Sequence, residues 1–237
     1  MSRVKKISRR NVESMFDGIA PEYDKFNHIL SVGIDRRWRK KVTKIVSELP
    51  ENKYIADFAT GTGDLAIALA HRVKPVSIKG IDLSHEMLEI ARQKIADQGL
   101  ENVISLQKEN CECTTLPDSS VDVVTISFGI RNFNSPNRGL EEMFRVLRPN
   151  GSAVILEFST PKKGVIASIV KWYYGNMIPF VGNLLSGNKA PYKYLPATIY
   201  EFPNGEKFCG MMRNAGFHNV RYKSLTFNLV NIYIGER

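Results

Sequence analysis

Asp57-Phe58-Ala59-Thr60-Gly61-Thr62-Gly63-Asp64-Leu65, followed some twenty residues later by Asp82, is the stretch on which the reading of this 237-residue chain turns. Tyr54-Ile55-Ala56 before it is short and apolar, as a buried parallel strand would be, and Leu65 to Ala70 after it consists of strong helix formers. The order is strand, glycine turn, helix. Gly61 and Gly63 permit positive φ and let a ligand approach the backbone, and the helix start offers unpaired N–H groups. A dinucleotide site would read G-x-G-x-x-G, and Ala66 at the third position is tolerated by its looser form. The glycines alone therefore leave the ligand open.

The next strand narrows the choice. Ser77 to Ile81 runs into Asp82, and Ser84 caps a helix expected from His85 to Gln98, with Met87, Leu88 and Ala91 on one face. A carboxylate at the end of the second strand accepts from two ribose hydroxyls in doubly wound folds, so a nucleoside is expected. The pattern D-x-A-x-G-T-G-D with this aspartate resembles the S-adenosylmethionine (SAM) site of class I methyltransferases, with an ordinary NAD fold as the alternative. The resemblance implies an α/β, Rossmann-like fold, with a seven-stranded, mostly parallel sheet whose last strand is antiparallel.

Composition sets the outer limits. A chain of 237 residues with 43% hydrophobic residues suits one α/β domain with a real core. Cys111, Cys113 and Cys209 are odd in number and only two are close together, so they read as reduced cytosolic thiols, neither a disulfide frame nor a zinc site. No metal is expected. The basic start Met1-Ser2-Arg3-Val4-Lys5-Lys6 precedes no apolar signal core, and no run of eighteen apolar residues occurs, so the chain reads as soluble or peripheral. Of the net charge of +9, +6 falls in residues 1–53, where 13 Lys/Arg face 7 Asp/Glu. Clustered cations favour phosphate, in nucleic acid or in anionic lipid.

In chain order, Ser8 to Phe16 reads as a short helix ended by Gly18 and Pro21. Tyr23 to Trp38 mixes aromatics, ionisable groups and turn formers before a helix running to about Leu49, and reads as part of a lid (residues 1–50) over the SAM-binding domain (51–237). The third strand is Val103 to Gln107 and the fourth Val121 to Ser127, stopping at Phe128-Gly129-Ile130-Arg131-Asn132. Ser127, Arg131 and Asn132 sit at the tip of a central strand, next to the first, where ligands collect. A helix from Ser135 to Arg148, a turn at Pro149-Asn150-Gly151 and a fifth strand from Ser152 to Ser159 follow. Val165 to Leu185 is apolar but interrupted by Gly175, Pro179 and Gly182. It suits helices on the sheet edge, a greasy channel or a membrane interface, within an insertion at about 163–202. A helix from Pro203 to Ala215 and strands Val220 to Leu225 and Phe227 to Ile234 close the chain.

Two stretches carry a closer resemblance. Tyr23-Asp24-Lys25-Phe26-Asn27-His28-Ile29-Leu30-Ser31 with Trp38, and Arg145 to Ser159, resemble the two signatures of the menaquinone/ubiquinone biosynthesis C-methyltransferases; Thr125 to Asn132 is similar to that family's fourth-strand motif. Phe26, Asp35 and Asn150 stand where the family usually has Met, His and Gly. The resemblance implies SAM-dependent methylation of a ring carbon on a polyprenylated quinol: demethylmenaquinol to menaquinol, or the corresponding ubiquinol precursor. The absence of a transit-peptide pattern points to the menaquinone branch. It places cofactor contacts at Thr62, Asp82, Asn110, Cys111 and Ser127, beside Asp57, Gly61 and Gly63 of the glycine loop.

A ring hydroxyl that loses its proton makes the neighbouring carbon electron-rich, and a cation nearby favours that state. Arg131 is the candidate cation, Asn132 a second donor, and Tyr23, Asp24 and His28 are candidate bases. A basic N-terminus implies peripheral contact with anionic lipid at the inner face of the cell membrane; a homodimer is compatible. The rival within enzymes is a methyltransferase acting on RNA or a small metabolite; an amino-methylating RNA enzyme would carry an Asn/Asp-Pro-Pro-Tyr-like tetrad after strand four, where this chain has Ser127-Phe128-Gly129-Ile130, so no nucleic-acid partner is expected. A SAM-binding subunit without chemistry is the alternative of a different class.

Overall fold

Tyr54–Phe58 (β1) pairs in parallel with Ser77–Asp82 (β2) on one side and Val121–Ser127 (β4) on the other, so the order of strands reverses at β1. This computed structural model describes residues 9–31, 33–161, 164–177 and 190–237. With Ile104–Lys108 (β3), Leu147–Phe158 (β5), His218–Leu225 (β6) and Val230–Glu236 (β7), the sheet runs β3-β2-β1-β4-β5-β7-β6. All strands are parallel except β7, which slots antiparallel between β5 and β6.

Side chains of the central strands alternate between two layers, as the pleat requires. Val123 and Val154 face Trp38, Val42 and Leu69. Val124 and Ile155 face Leu140, Met143 and Phe208. The first layer is covered by Asp35–Ser47 (α2), Asp64–Val73 (α3) and His85–Ala96 (α4), the second by Pro136–Val146 (α5) and Glu206–Asn214, which is α8 below. Between β5 and α8 stand Val165–Trp172 (α6), running into a π-helical turn Tyr173–Met177, and Ala190–Glu201 (α7). Of the expected channel-lining residues, Ile178, Phe180, Val181, Leu184 and Leu185 lie outside the described residues. Among the described residues no helix is long and apolar enough to cross a membrane.

Two boundaries differ most from the sequence reading. The first helix does not stop at Gly18 and Pro21 but runs from Arg9 to Leu30 (α1) with Pro21 inside it. A mid-helix proline removes one hydrogen bond and commonly breaks the helix, yet here one face is held on both sides of it. Glu13, Asp17 and Asp24, spaced 4 and 7 apart, share that face and reach Lys108, Ser84 and Thr62 respectively, while Ala20 is buried. Tertiary contact thus overrides local propensity. The second difference is Pro149-Asn150-Gly151, which lies within β5, at a register irregularity against Val121 and Val123. The Asn150 N–H donates to the Arg237 carbonyl at 2.7 Å, and a Cβ on Gly151 would sit 2.8 Å from the Arg148 carbonyl oxygen, so a strand edge is made from turn-forming residues.

Candidate functional site

The carboxyl ends of β1, β2 and β4 open into a cleft that α1 covers with Glu13, Phe16 and Tyr23. Its floor is the glycine loop. Gly63 has φ of 80°, which favours glycine, and starts α3; a Cβ there would also lie a tight 3.2 Å from that of Ala91. Gly61 also has positive φ, but no atom lies within 4 Å of where its side chain would be, which leaves that side open for a ligand. Across the reversal point, a Cβ on Gly129 would fall 2.5 Å from that of Ala59, so the turns after β1 and β4 are packed in contact.

Asp82 stands on the cleft wall where its strand ends. One carboxylate oxygen accepts from the Gly61 N–H at 2.8 Å, the other from the Ser84 N–H at 2.9 Å, and burial raises its pKa despite these bonds. Ser84 accepts from the Met87 N–H as the N-cap of α4 and donates to Asp17 of α1. Beside Asp82 the Cys111 thiol is buried, accepting from the Ala59 N–H at 3.3 Å; burial pushes its pKa well above the usual thiol value. It is therefore a neutral packing group between two loops. Asn110 lines the cleft, accepts from the Glu112 N–H at 3.1 Å and donates to Cys113, the exposed member of the thiol set.

The structure brings Gly61, Asp82, Asn110, Cys111, Ser127, Asn132 and Tyr23 together on the cleft. Asp24, Asp57, Thr62, Gly63 and Arg131 do not line it. Asp57 lies behind the loop, 1% exposed, accepting from the Thr125 and Thr60 hydroxyls at 2.6 and 2.7 Å; burial pushes its pKa up to about 6. Its work is to tie β1 to β4 and to the glycine turn. Thr62 donates to Asp24 at 2.6 Å, so this pair links the lid to the loop, and Asp24 is further engaged by Lys94 at 3.0 Å. Asp24, a candidate base, is thus committed to a latch in this structure. The helical backbone at His28 is described, but its side chain lies outside the described residues.

Arg131 departs most from expectation. Its guanidinium is 2.8 Å from Glu157, donates to the Phe128 carbonyl and lies over the Phe158 ring, with side-chain exposures of 5% for Arg131 and 0% for Glu157. A carboxylate taken fully out of water needs such a partner. The Arg131 charge is thus paired within the protein, though its buried Nε has no hydrogen-bond partner, and the next residue, Asn132, reaches the cleft with a buried Oδ1 that likewise has none. Sequence reasoning missed Glu157, whose signal was a lone acid inside the apolar run Val154-Ile155-Leu156-Glu157-Phe158. It also missed Leu83 and Phe133 as apolar cleft walls, which carry no distinguishing signal.

The residues present fit a nucleoside-bearing amino acid: an open glycine backbone at Gly61, a carboxylate at the end of β2 and apolar walls at Leu83 and Phe133. A sheet of this order with such a cleft at its reversal point defines a class I, SAM-dependent methyltransferase fold. A solved SAM-dependent methyltransferase from Aquifex aeolicus shares the fold, with a TM-score of 0.59 at 21% identity, covering 84% of this chain and 88% of that one. More specifically, the chain belongs to the ubiE/COQ5 methyltransferase family, whose model matches residues 3–237. It is 43% identical over 227 residues to a ubiquinone/menaquinone biosynthesis C-methyltransferase of Geotalea daltonii, covering 95% of this chain and 96% of that protein. It is 41% identical over 226 residues to a demethylmenaquinone methyltransferase of Bacteroides fragilis, covering 95% and 92%.

Proposed function

We propose that this chain methylates a ring carbon of a polyprenylated quinol, converting demethylmenaquinol to menaquinol with SAM as the donor. The observation that carries the reading is identity of 41% to a demethylmenaquinone methyltransferase across 95% of the chain, with Asp82 and Asn132 on one cleft. When bound, SAM supplies a methyl group on a positively charged sulfur, itself an excellent leaving group. The residues of the chain then have to bind, align and manage one proton. Asp82 receives the ribose hydroxyls, and Asn110 with the neighbouring backbone reads the base edge. Alignment of a ring carbon with the methyl group can supply several kcal/mol of the barrier reduction. Asn132 hydrogen-bonds the ring hydroxyl, held in place by the Arg131–Glu157 pair at its back, and Tyr23 is the candidate base whose side chain lines the cleft. The ring carbon gives up its hydrogen as a proton in exchange for the methyl group.

The prenyl tail and the membrane belong to the same reading. Helix α7 abuts the turn Ile130–Asn132, and Trp172 and Tyr200 remain exposed beside it, apolar surface suited to an isoprenoid or a lipid boundary. On α2, Arg36, Arg37, Lys40, Lys41 and Lys44 are exposed, each worth about 1 kcal/mol at an anionic surface. The name of the Geotalea relative supports a second substrate, the benzoquinol of the ubiquinone pathway. The test is methyl transfer from labelled SAM to a reduced short-chain demethylmenaquinone, with a benzoquinol precursor and RNA as parallel acceptors. Label in the naphthoquinol supports the reading; label in RNA alone, or in none of the three, removes it.

A further inference from the structure

Lys94, in the last turn of α4, sits where four helices meet. Its ammonium is 3.0 Å from Asp24 of α1 and 3.3 Å from the Thr62 hydroxyl of the glycine loop, and it pairs with Asp64 at the start of α3. The other oxygen of Asp64 accepts from Arg39 of α2 at 2.8 Å, and Arg39 pairs in turn with Asp35. Two cations therefore bind three carboxylates along a line that crosses α1, α4, α3 and α2. Asp24 is the member that belongs to the lid. It accepts from Thr62 with one oxygen and from Lys94 with the other, so without the ammonium a carboxylate would be left beside Asp64, and like charges repel.

We propose that Lys94 is a positioning residue for the methyltransferase reaction: it clamps the lid helix to the glycine loop through Asp24 and Thr62 and so seats Tyr23, the residue before Asp24, on the cofactor cleft. The proposal rests on the cleft's being the cofactor site. Lys94 itself does not line the cleft, so its effect on the ligand is exerted through the lid. About a quarter of its side chain is exposed, as are 31% of Asp24 and 28% of Asp64, so the clamp is neither locked in the core nor free of salt screening.

The test is Lys94→Met against Lys94→Arg, measured with S-adenosylhomocysteine, which requires no quinol. Lys94→Met is expected to weaken binding about tenfold, within the usual range for coupled elements, and to raise the KM for SAM more than it lowers kcat. In the wild type, S-adenosylhomocysteine is expected to slow backbone amide hydrogen exchange across α1; Lys94→Met should lose that protection and Lys94→Arg restore it. Raising salt loosens S-adenosylhomocysteine in the wild type and leaves the affinity of Lys94→Met nearly unchanged. A wild type that binds the ligand while Lys94→Met binds it equally well, with equal protection of the α1 amides, overturns the clamp and leaves the cofactor reading standing. A wild type that binds no S-adenosylhomocysteine overturns both.

Discussion

Glu157→Gln tests whether Arg131 is held inside the protein as the structure has it. The substitution preserves shape and removes one charge from a pair whose side chains are 5% and 0% exposed, so solvent cannot replace the lost partner. Leaving one member of a buried pair uncompensated typically destabilises by about 3 to 5 kcal/mol. For a chain of this size that corresponds to a fall in Tm of roughly 6 to 20 °C. The Arg131 backbone N–H, which donates to the second Glu157 oxygen at 3.3 Å, loses an acceptor as well. The assay is urea unfolding of wild type, Glu157→Gln, Arg131→Met and the double variant Arg131→Met/Glu157→Met. Because an apolar pair of similar volume replaces a buried ion pair at little loss, the double variant regains most of the stability that either single change removes. It does not regain activity, since the Phe128 carbonyl and the turn bearing Asn132 have lost their brace. A loss below about 1 kcal/mol in Glu157→Gln, or single losses that simply add in the double variant, would refute this reasoning.

Asp57→Asn separates a structural carboxylate from a catalytic one by its pH dependence. The folded pKa of about 6 exceeds the ordinary 3.8 chiefly because of burial, so the native state retains a proton that the unfolded state releases between those values. The contribution of Asp57 to stability is fully present below pH 3.8 and is lost as pH rises through 6, a change of roughly 3 kcal/mol. The stability of wild type relative to Asp57→Asn should fall across that window, and a flat difference from pH 4 to 8 would show the burial argument to be wrong. The two turn glycines give opposite outcomes: Gly61→Ala, with open space at its Cβ, loses about 1 kcal/mol of stability yet most of its S-adenosylhomocysteine affinity. Gly129→Ala, driven into Ala59, loses about 1 to 3 kcal/mol of stability; calorimetric titration and thermal melts on both variants check the pair, and equal affinity losses without a difference in stability contradict the assignment.

Much of the fold could be read from the chain because its signals are local. The apolar runs at Ile55, Val123 and Val154, the Ser84 cap and the Gly61–Gly63 turn each fix structure within a few residues, and all form as expected. The length of α1 could not be read, because the contacts that hold it through Pro21 come from Lys108, Ser84 and Thr62, far along the chain. The site divides in the same way. Asp82 and Asn132 are placed by the strands that precede them. Whether Asp24 and Arg131 face a ligand depends on Lys94 and Glu157, which no spacing rule connects to them.

The distribution of the thiols has a practical use. Cys111 and Cys209 are buried, and burial raises the pKa of both, whereas Cys113 is exposed and bonded to Asn110 at the rim of the cleft. A maleimide fluorophore added to the unaltered chain would therefore attach at one position, beside the loop proposed to read the base, and serve as an optical reporter of cofactor exchange without any engineered mutation.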